Sequence, residues 1–283
     1  MRVLRDLGCF DGDLSGTLLG FTATTNRADG QGLDAVFEEA GLTAAALSQI
    51  RHGATVASNA ILERKGAKTG LIGSKGFRDV LEIRTLRMPR LYDLAWTKPA
   101  PLVERYLRQT VDERVNAAGE IVKPLDPADA EAAVRRLLSE GVEAIAVCLI
   151  NSYANPAHEL IVKDAIERLA PGLPHSVSAE VLPEIREYER TSTTTINAYV
   201  KPAVASYLAN LRQGLDAAGV EAELLLMQSN GGLIPAETAA RLPMNIIESG
   251  PAGGVVGARF VAEMAGVGDV LTFDMGGTTA KAS

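Results

Sequence analysis

Aromatic side chains are scarce in this sequence of 283 residues, at 5% with a single Trp, although hydrophobic residues as a whole reach 47%. Ala, Gly, Val and Leu dominate instead, as in many α/β enzymes. Cysteine is nearly absent. The two present, Cys9 and Cys148, lie far apart, which argues against a disulfide framework and suits a reducing compartment. Only three histidines occur, and none forms a Cys/His cluster with metal-site spacing. The net charge is −7 with no basic run, so nucleic acid and anionic membrane are poor partners. No stretch approaches the roughly 20 apolar residues of a membrane helix. The opening MRVLRDLGCFDGDLSG has no apolar signal core. Neither a solenoid-spaced repeat nor a low-complexity tract is found. The expectation is a soluble, cytoplasmic α/β protein, long enough for one large domain or two ordinary ones.

What is present alternates between two apolar patterns. Gly16–Thr25, RHGATV, KTGLIGS, HSVSAE and above all Ala144–Ile150 (AIAVCLI) read as strands. GLDAVFEEAG, TAAALSQI, SNAILERKG, GFRDVLEI, PADAEAAVRRLLSEG and PAHELIVKDAIERLAPG read as helices. In the fifth of these, Ala132, Val134, Leu137 and Leu138 make the apolar face. ERYLRQTVDERV predicts a strand, followed by a turn at Gly119–Glu120. This succession predicts a mostly parallel sheet covered by helices. Residues 84–101 are Pro-rich and hold the only Trp and three arginines. They read as a long functional loop. A seam near Val181–Pro183 divides the chain into segments 1–182 and 183–283. Beyond it, EIREYERTSTTTINAYV and PAVASYLANLRQGLDAAG predict two helices separated at Lys201–Pro202, the first with a solvated, salt-bridged face. Then come AELLLMQSNGG (strand and turn), AETAARL (helix), NIIESG (strand), GGVVGARFVAEMAG (helix) and DVLTFDMGG, a strand in which Leu271–Phe273 are expected to be buried.

Four stretches can carry chemistry. Glu248–Phe260 (ESGPAGGVVGARF) reads as strand, Gly-rich turn and helix, and a helix N-terminus attracts anions through its N–H groups and dipole. Gly250, Gly253 and Gly254 keep side chains clear, and Gly257 allows close packing on the sheet. The alternative is a plain helix–sheet contact, since the spacing is neither a Rossmann fingerprint nor a Walker loop. Asp274 to Thr279 (DMGGTT) is more specific. An Asp at a strand end can hold Mg2+ through water, while Gly276, Gly277, Thr278 and Thr279 offer donors to phosphate. An ordinary tight hairpin is the alternative. In Met227–Ile234, Gln228, Ser229 and Asn230 end a strand where ligand contacts occur in α/β proteins, though Asn-Gly also simply terminates strands. In His52–Ala60, His52 can act as an acid–base group with Thr55, Ser58 and Asn59 lining a pocket. A hydrogen-bonded structural histidine is the competing reading.

Together these stretches resemble one family, the ATP-dependent hydantoinase/oxoprolinase proteins. The resemblance rests on HGATVASNAILERKGAKTGLIGSKGFRDVLEI, RLYDL with a later KP, VDERV, LPEIREYERTSTTTINAYV, QSNGG, ESGPAGGVVGA and FDMGGTTAK, and covers nearly everything from Gly16 onward. It implies an actin-like ATPase fold of the ribonuclease-H-like kind, with ATP and Mg2+ in a cleft. It implies that Asp274, Gly276, Gly277, Thr278 and Thr279 bind Mg2+-phosphate, and that Ser249, Gly250, Gly253 and Gly254 line the nucleotide cleft. His52, Thr55 and Asn59 fall on the substrate side, with His52 and Asp274 as catalytic candidates. Many relatives carry Asp where this chain has Lys281, which marks a subgroup. A first phosphate loop is missing before Asp6, and so are the strand after TTAK and the rest of the second domain, so the expectation is a piece of a longer protein.

The implied activity is ATP-driven opening of a small cyclic amide of the hydantoin or 5-oxoproline type, with a B-type subunit as partner in an oligomer. Phosphorylation of a ketone and bicarbonate, as in acetone carboxylase, is the competing chemistry. An inactive fragment that only binds a partner is the third reading.

Overall fold

The computed structural model describes residues 17–21, 43–85, 92–93, 95–275 and 280–283. Cys9, Asp6, the helix expected over GLDAVFEEAG, and Gly276, Gly277, Thr278 and Thr279 lie outside the described residues. In chain order, β1 (Thr17–Phe21) and β2 (Gln49–Gly53) precede α1 (Val56–Leu62). β3 (Thr69–Ser74) and α2 (Val80–Ile83) come next. They are followed by β4 (Arg108–Val111), β5 (Arg114–Val115), β6 (Ile121–Lys123) and α3 (Pro127–Ser139). β7 (Ala144–Cys148), α4 (Ala157–Leu169), β8 (His175–Val177) and α5 (Ser178–Val181) lead to the long α6 (Glu187–Ala217). The chain ends with β9 (Glu223–Met227), β10 (Leu233–Pro235), α7 (Ala236–Arg241), α8 (Ser249–Met264), β11 (Phe273–Met275) and β12 (Ala280–Ala282). The expected α/β class is observed.

The chain folds into two compact units, residues 64–202 and residues 1–63 with 203–283. These units cut the sequence differently from the segments 1–182 and 183–283, because the chain leaves the first sheet after α1 and returns to it through α6.

In the unit 64–202, four parallel strands lie in the order β4-β3-β7-β8. β7 is buried at all five positions, as a central parallel strand must be. α3 starts cleanly because the Asp126 carboxylate accepts from the Ala128 N–H at 2.9 Å and Pro127 stands in the first turn. Its core face is Ala130, Ala133, Val134 and Leu137, whereas Ala132 and Leu138 are only half-buried. The expected face was thus rotated. β3 admits Leu137 because Gly70 has no side chain: a Cβ there would stand 2.7 Å from Leu137 Cδ1.

A polar network is buried in this core. Arg190 on α6 is fully buried and donates to the Leu149 carbonyl at 2.7 Å, to Ser178 Oγ at 2.7 Å, and to Ser152 and Glu187. The buried Glu159 carboxylate accepts from Leu149 N–H at 2.8 Å, Ser152 Oγ at 2.8 Å, Ser178 Oγ at 2.6 Å and Ala179 N–H at 2.9 Å. The solvated, salt-bridged face expected for EIREYERTSTTT is therefore corrected. Arg190, Thr191, Thr194 and Thr195 face the core, where Glu187 and Glu159 offset the Arg190 charge although Arg190 Nε and Thr195 Oγ1 make no hydrogen bond.

In the other unit the sheet order is β1-β2-β9-β10, parallel except for β10. α8 packs against β1, β2 and β9. Three expectations change here. TAAALSQI supplies only a 3-10 turn at Ala44–Ala46 and then enters β2. NIIESG is not a strand: Pro243–Ile246 is a 3-10 turn, and α8 begins at Ser249, so the Gly-rich stretch is helix rather than turn. Pro251 is tolerated because first-turn N–H groups have no helical partner to lose. The helices expected on either side of Lys201–Pro202 are one helix of 31 residues with Pro202 inside it. Burial of Ala198, Tyr199, Val200 and Val204 around that point outweighs the one backbone bond that proline removes. Shorter departures are similar. GFRDVLEI is helical only over Val80–Ile83, HSVSAE turns helical at Ser178, and ERYLRQTVDERV opens with a 3-10 turn at Arg105–Leu107.

Truncating Arg190 to Ala leaves Glu159 and Glu187 without their cation. The expected loss is about 3–5 kcal/mol, read from urea unfolding of the chain.

Candidate functional site

Within the unit 1–63 with 203–283, side chains of the predicted stretches converge at the C-terminal ends of the parallel strands β2 and β9. Open α/β sheets place ligands there. β2 ends at Gly53, where a Cβ would lie 3.1 Å from the Ser249 carbonyl oxygen. Glycine spares that approach a tight contact with backbone. Ser249 is fully buried, and its hydroxyl serves both backbone groups of Ala54. It donates to the Ala54 carbonyl at 2.7 Å and accepts from the Ala54 N–H at 3.1 Å. Gly250 follows the same logic, since a Cβ there would meet Thr55 Cγ2 at 3.0 Å. Gly253 is buried and Gly254 is exposed with open space before it. Thr55 Oγ1 accepts from Asn59 Nδ2 at 3.3 Å, so these two candidates engage each other beside α8.

β9 supplies the opposite wall. Ser229 stands two residues beyond its last residue, and its N–H and hydroxyl both donate to the Asn245 carbonyl, at 2.7 and 3.0 Å. Ser229 Oγ also accepts the Glu248 N–H at 3.1 Å. The Gln228–Gly232 turn closes by Gln228 N–H to the Gly232 carbonyl at 2.8 Å, with Gly231 at φ +84°. Ser229 beyond β9 and Ser249 at the first position of α8 thus fix the start of the helix against both strand ends.

The terminal hairpin is attached to the same helix end. β11 and β12 pair antiparallel with Asp274 opposite Lys281, and the Lys281 ammonium pairs with the Glu248 carboxylate. The hairpin's return strand, Ala280–Ala282, falls on the end of TTAK and the residue after it. Burial was expected at Leu271–Phe273, yet Leu271 is 82% and Phe273 67% exposed. Among the described residues, this two-stranded hairpin has no third strand or covering layer. Asp274 is exposed as well. The turn residues Gly276, Gly277, Thr278 and Thr279 lie outside the described residues.

His52 sits on β2 behind these groups, buried at 5% exposure. Its Nε2 is 2.6 Å from the Tyr207 hydroxyl, and the two rings stack at 5.8 Å with 24° between planes. Burial pushes its pKa down to about 4, so the imidazole is neutral near pH 7. Burial likewise pushes the Tyr207 phenol up. Asp274 and His52 are on different elements and make no contact with each other. The sequence reading missed Tyr207, and it named Glu248 only as the start of the Gly-rich stretch and Lys281 only as a subgroup mark, without their pairing. Tyr207 lies 155 residues from His52, and nothing in a lone tyrosine on a long helix marks it.

The comparisons agree on one family. The model of the hydantoinase/oxoprolinase N-terminal region matches residues 20–170, and the hydantoinase/oxoprolinase model matches residues 190–283. The chain belongs to this family. It is 35% identical over 255 residues to 5-oxoprolinase 1 of Arabidopsis thaliana, covering 83% of this chain and 20% of that protein. The crystal structure of ATP-dependent caprolactamase from Pseudomonas jessenii superposes with a TM-score of 0.80 at 33% identity, covering 92% of this chain and 39% of that one. The nucleotide-free structure of acetone carboxylase, from work on ATP-dependent acetone carboxylation, gives 0.83 at 27% identity, covering 95% and 41%. The chain spans between about a fifth and about a third of the length of the curated relatives it matches, from 20% to 35% for three of them. No helix among the described residues is long and apolar enough to cross a membrane.

Ser249→Ala removes both bonds to Ala54 and leaves those groups buried. A loss of about 1–3 kcal/mol is expected, measured by chemical unfolding against the parent chain. For His52, the folded pKa of about 4 lies below the unfolded value of 6.5. Its contribution is therefore full above pH 6.5 and is lost as pH falls towards 4, by about 3 kcal/mol. His52→Gln should flatten that part of the stability–pH curve; an unchanged acid slope would contradict the assignment.

Proposed function

We propose that this chain is the part of an ATP-dependent enzyme that holds the nucleotide phosphates while a small cyclic amide is activated and opened. The observation that carries the reading is the fastening of three elements onto one helix start. Ser249 binds Ala54, Ser229 binds Glu248 N–H, and Lys281 binds Glu248. The positive end of a 16-residue helix and the strand carrying Asp274 are thereby tied together. Helix N-termini favour phosphate. In this reading Ser249 positions the helix rather than touching nucleotide. Gly250, Gly253 and Gly254 keep the helix surface low, and the segment Gly276–Thr279 approaches phosphate.

Mg2+ belongs to the proposal too. Among the described residues no group of three His, Cys, Asp or Glu is placed to hold a metal. One exposed carboxylate, Asp274, suits Mg2+, which is commonly held by one or two carboxylates with phosphate oxygens and water. When bound, the ion neutralises charge on the transferring phosphoryl group. Lys281, opposite Asp274 and paired with Glu248, keeps an ammonium beside the same strand.

The chemistry follows from the electrophile. An amide carbonyl is poorly reactive. Transfer of the γ-phosphoryl group to its oxygen breaks the bond to ADP and makes that oxygen a leaving group. One water then adds to that carbon and the ring C–N bond opens, leaving an amine and an acyl phosphate, and a second water hydrolyses the acyl phosphate to carboxylate and phosphate. His52 is neutral and buried, so its proposed part is to hold Tyr207 and the end of β2, with Thr55 and Asn59 towards the substrate side. The names of caprolactamase and 5-oxoprolinase support a cyclic amide. The similarity to acetone carboxylase supports a second reading, phosphorylation of a ketone and bicarbonate. A B-type partner subunit in a cytoplasmic oligomer completes the proposal. The exposed Val256, Phe260, Leu271, Phe273 and Met275 support a covering partner or segment.

The test uses the intact parent protein assayed with 5-oxoproline, a hydantoin, caprolactam, and acetone plus bicarbonate, following ADP release. A cyclic amide should support ADP release, and Asp274→Asn should lower that turnover at least about 100-fold without unfolding. Turnover with acetone plus bicarbonate and with none of the cyclic amides would select the carboxylation reading. Wild-type rates in Asp274→Asn would remove the phosphate assignment. The isolated 283 residues should bind ATP weakly; submicromolar affinity by calorimetry would contradict this.

A further inference from the structure

Lys281 does more than fasten the terminal hairpin. It stands directly opposite Asp274 in the antiparallel pair of β11 and β12. Directly opposite residues of such a pair carry their side chains on the same face. The ammonium of Lys281 therefore shares a face with the carboxylate of Asp274. That face is turned to the start of α8, because the Lys281 ammonium reaches the Glu248 carboxylate.

Glu248 immediately precedes the first turn of α8, where a carboxylate is well placed to accept from the free N–H groups. It does not do so. No side chain caps this helix, and the Glu248 carboxylate is engaged by Lys281 instead. The pair is open to solvent, with the Lys281 and Glu248 side chains 30% and 47% exposed. An ion pair this open is held weakly. A bond from an ammonium to a phosphate oxygen is of the stronger, charge-assisted kind, and a terminal phosphate carries more charge than a carboxylate. Glu248 is thus an anion standing at an uncapped helix start, held by a cation that a phosphate can take from it.

We propose that Lys281 grips the terminal phosphate of ATP, and that Glu248 is its resting partner, released when the nucleotide arrives. The proposal rests on the reading of this site as the holder of the nucleotide phosphates. In phosphoryl transfer the group being moved is the γ-phosphoryl, so a fixed cation stabilises most when it donates to that group. Lys281 does this by hydrogen bonding alone, and no bond to the lysine forms.

Calorimetry on the intact parent protein tests it, with Mg2+-ATP and with Mg2+-ADP and no organic substrate. Lys281→Met should weaken ATP binding about 10- to 100-fold and leave ADP binding nearly unchanged. Lys281→Arg should restore most of the affinity for ATP. Glu248→Gln should leave ATP binding as tight or tighter, because the resting partner no longer competes. Lys281→Gln replaces the Met variant should that fail to fold. A lysine that only staples hairpin to helix gives a different pattern, in which Lys281→Met and Glu248→Gln weaken ATP and ADP alike. That pattern, or unchanged ATP affinity in Lys281→Met, would overturn the proposal and leave the phosphate reading standing. A wild-type protein that binds neither nucleotide would overturn both.

Discussion

The Ser249 hydroxyl holds both the N–H and the carbonyl of Ala54, and the candidate site takes its shape from that double attachment. Ala54 is where β2 turns into α1, so the bond fixes the strand end, the turn and the first residue of α8 as one piece. Gly53 and Gly250 ease the approach, since a Cβ at either would stand only 3.1 or 3.0 Å from its neighbour and force a small shift. A helix start set this firmly presents its N–H groups in a fixed direction. Fixed donors stabilise charge better than donors that must reorganise.

The rest of the site is built outward from that point. Ser229 ties the end of β9 to Asn245 and Glu248, and Lys281 ties the terminal hairpin to Glu248. His52 and Tyr207 stack beneath it and join β2 to α6. Each contact joins parts of the sequence that are far apart. Together they gather two strand ends, one helix start and one hairpin around a common edge.

Much of the fold was legible because burial leaves a simple pattern. Ala144–Cys148 is apolar at every position and could only be a central strand, and Asp126-Pro127 marks a helix start by capping chemistry alone. The misreadings have equally plain causes. Arg190 is charged, and charge normally signals solvent, but here Ser152, Ser178, Glu187 and a carbonyl satisfy it in the core. Pro202 looked like a helix end, and tertiary burial carried the helix through it. The glycines of 250–254 looked like a turn, yet they lie in the first turns of α8, where Gly250 packs closely on Thr55 and Gly254 faces open space. Of the candidate site, the strand ends and the helix start were readable as motifs. The roles of Tyr207, Glu248 and Lys281 were not, because they exist only once distant segments meet.

The most direct test of the central claim is hydrogen exchange on the intact parent protein, with and without Mg2+-ADP. The account predicts slower exchange for the amides of Ser249 to Gly254 and of Asp274 to Lys281 when nucleotide is bound, with β7 and α3 unchanged. Protection confined to other segments, with these amides unaltered, would contradict the claim that this helix start and hairpin hold the phosphates.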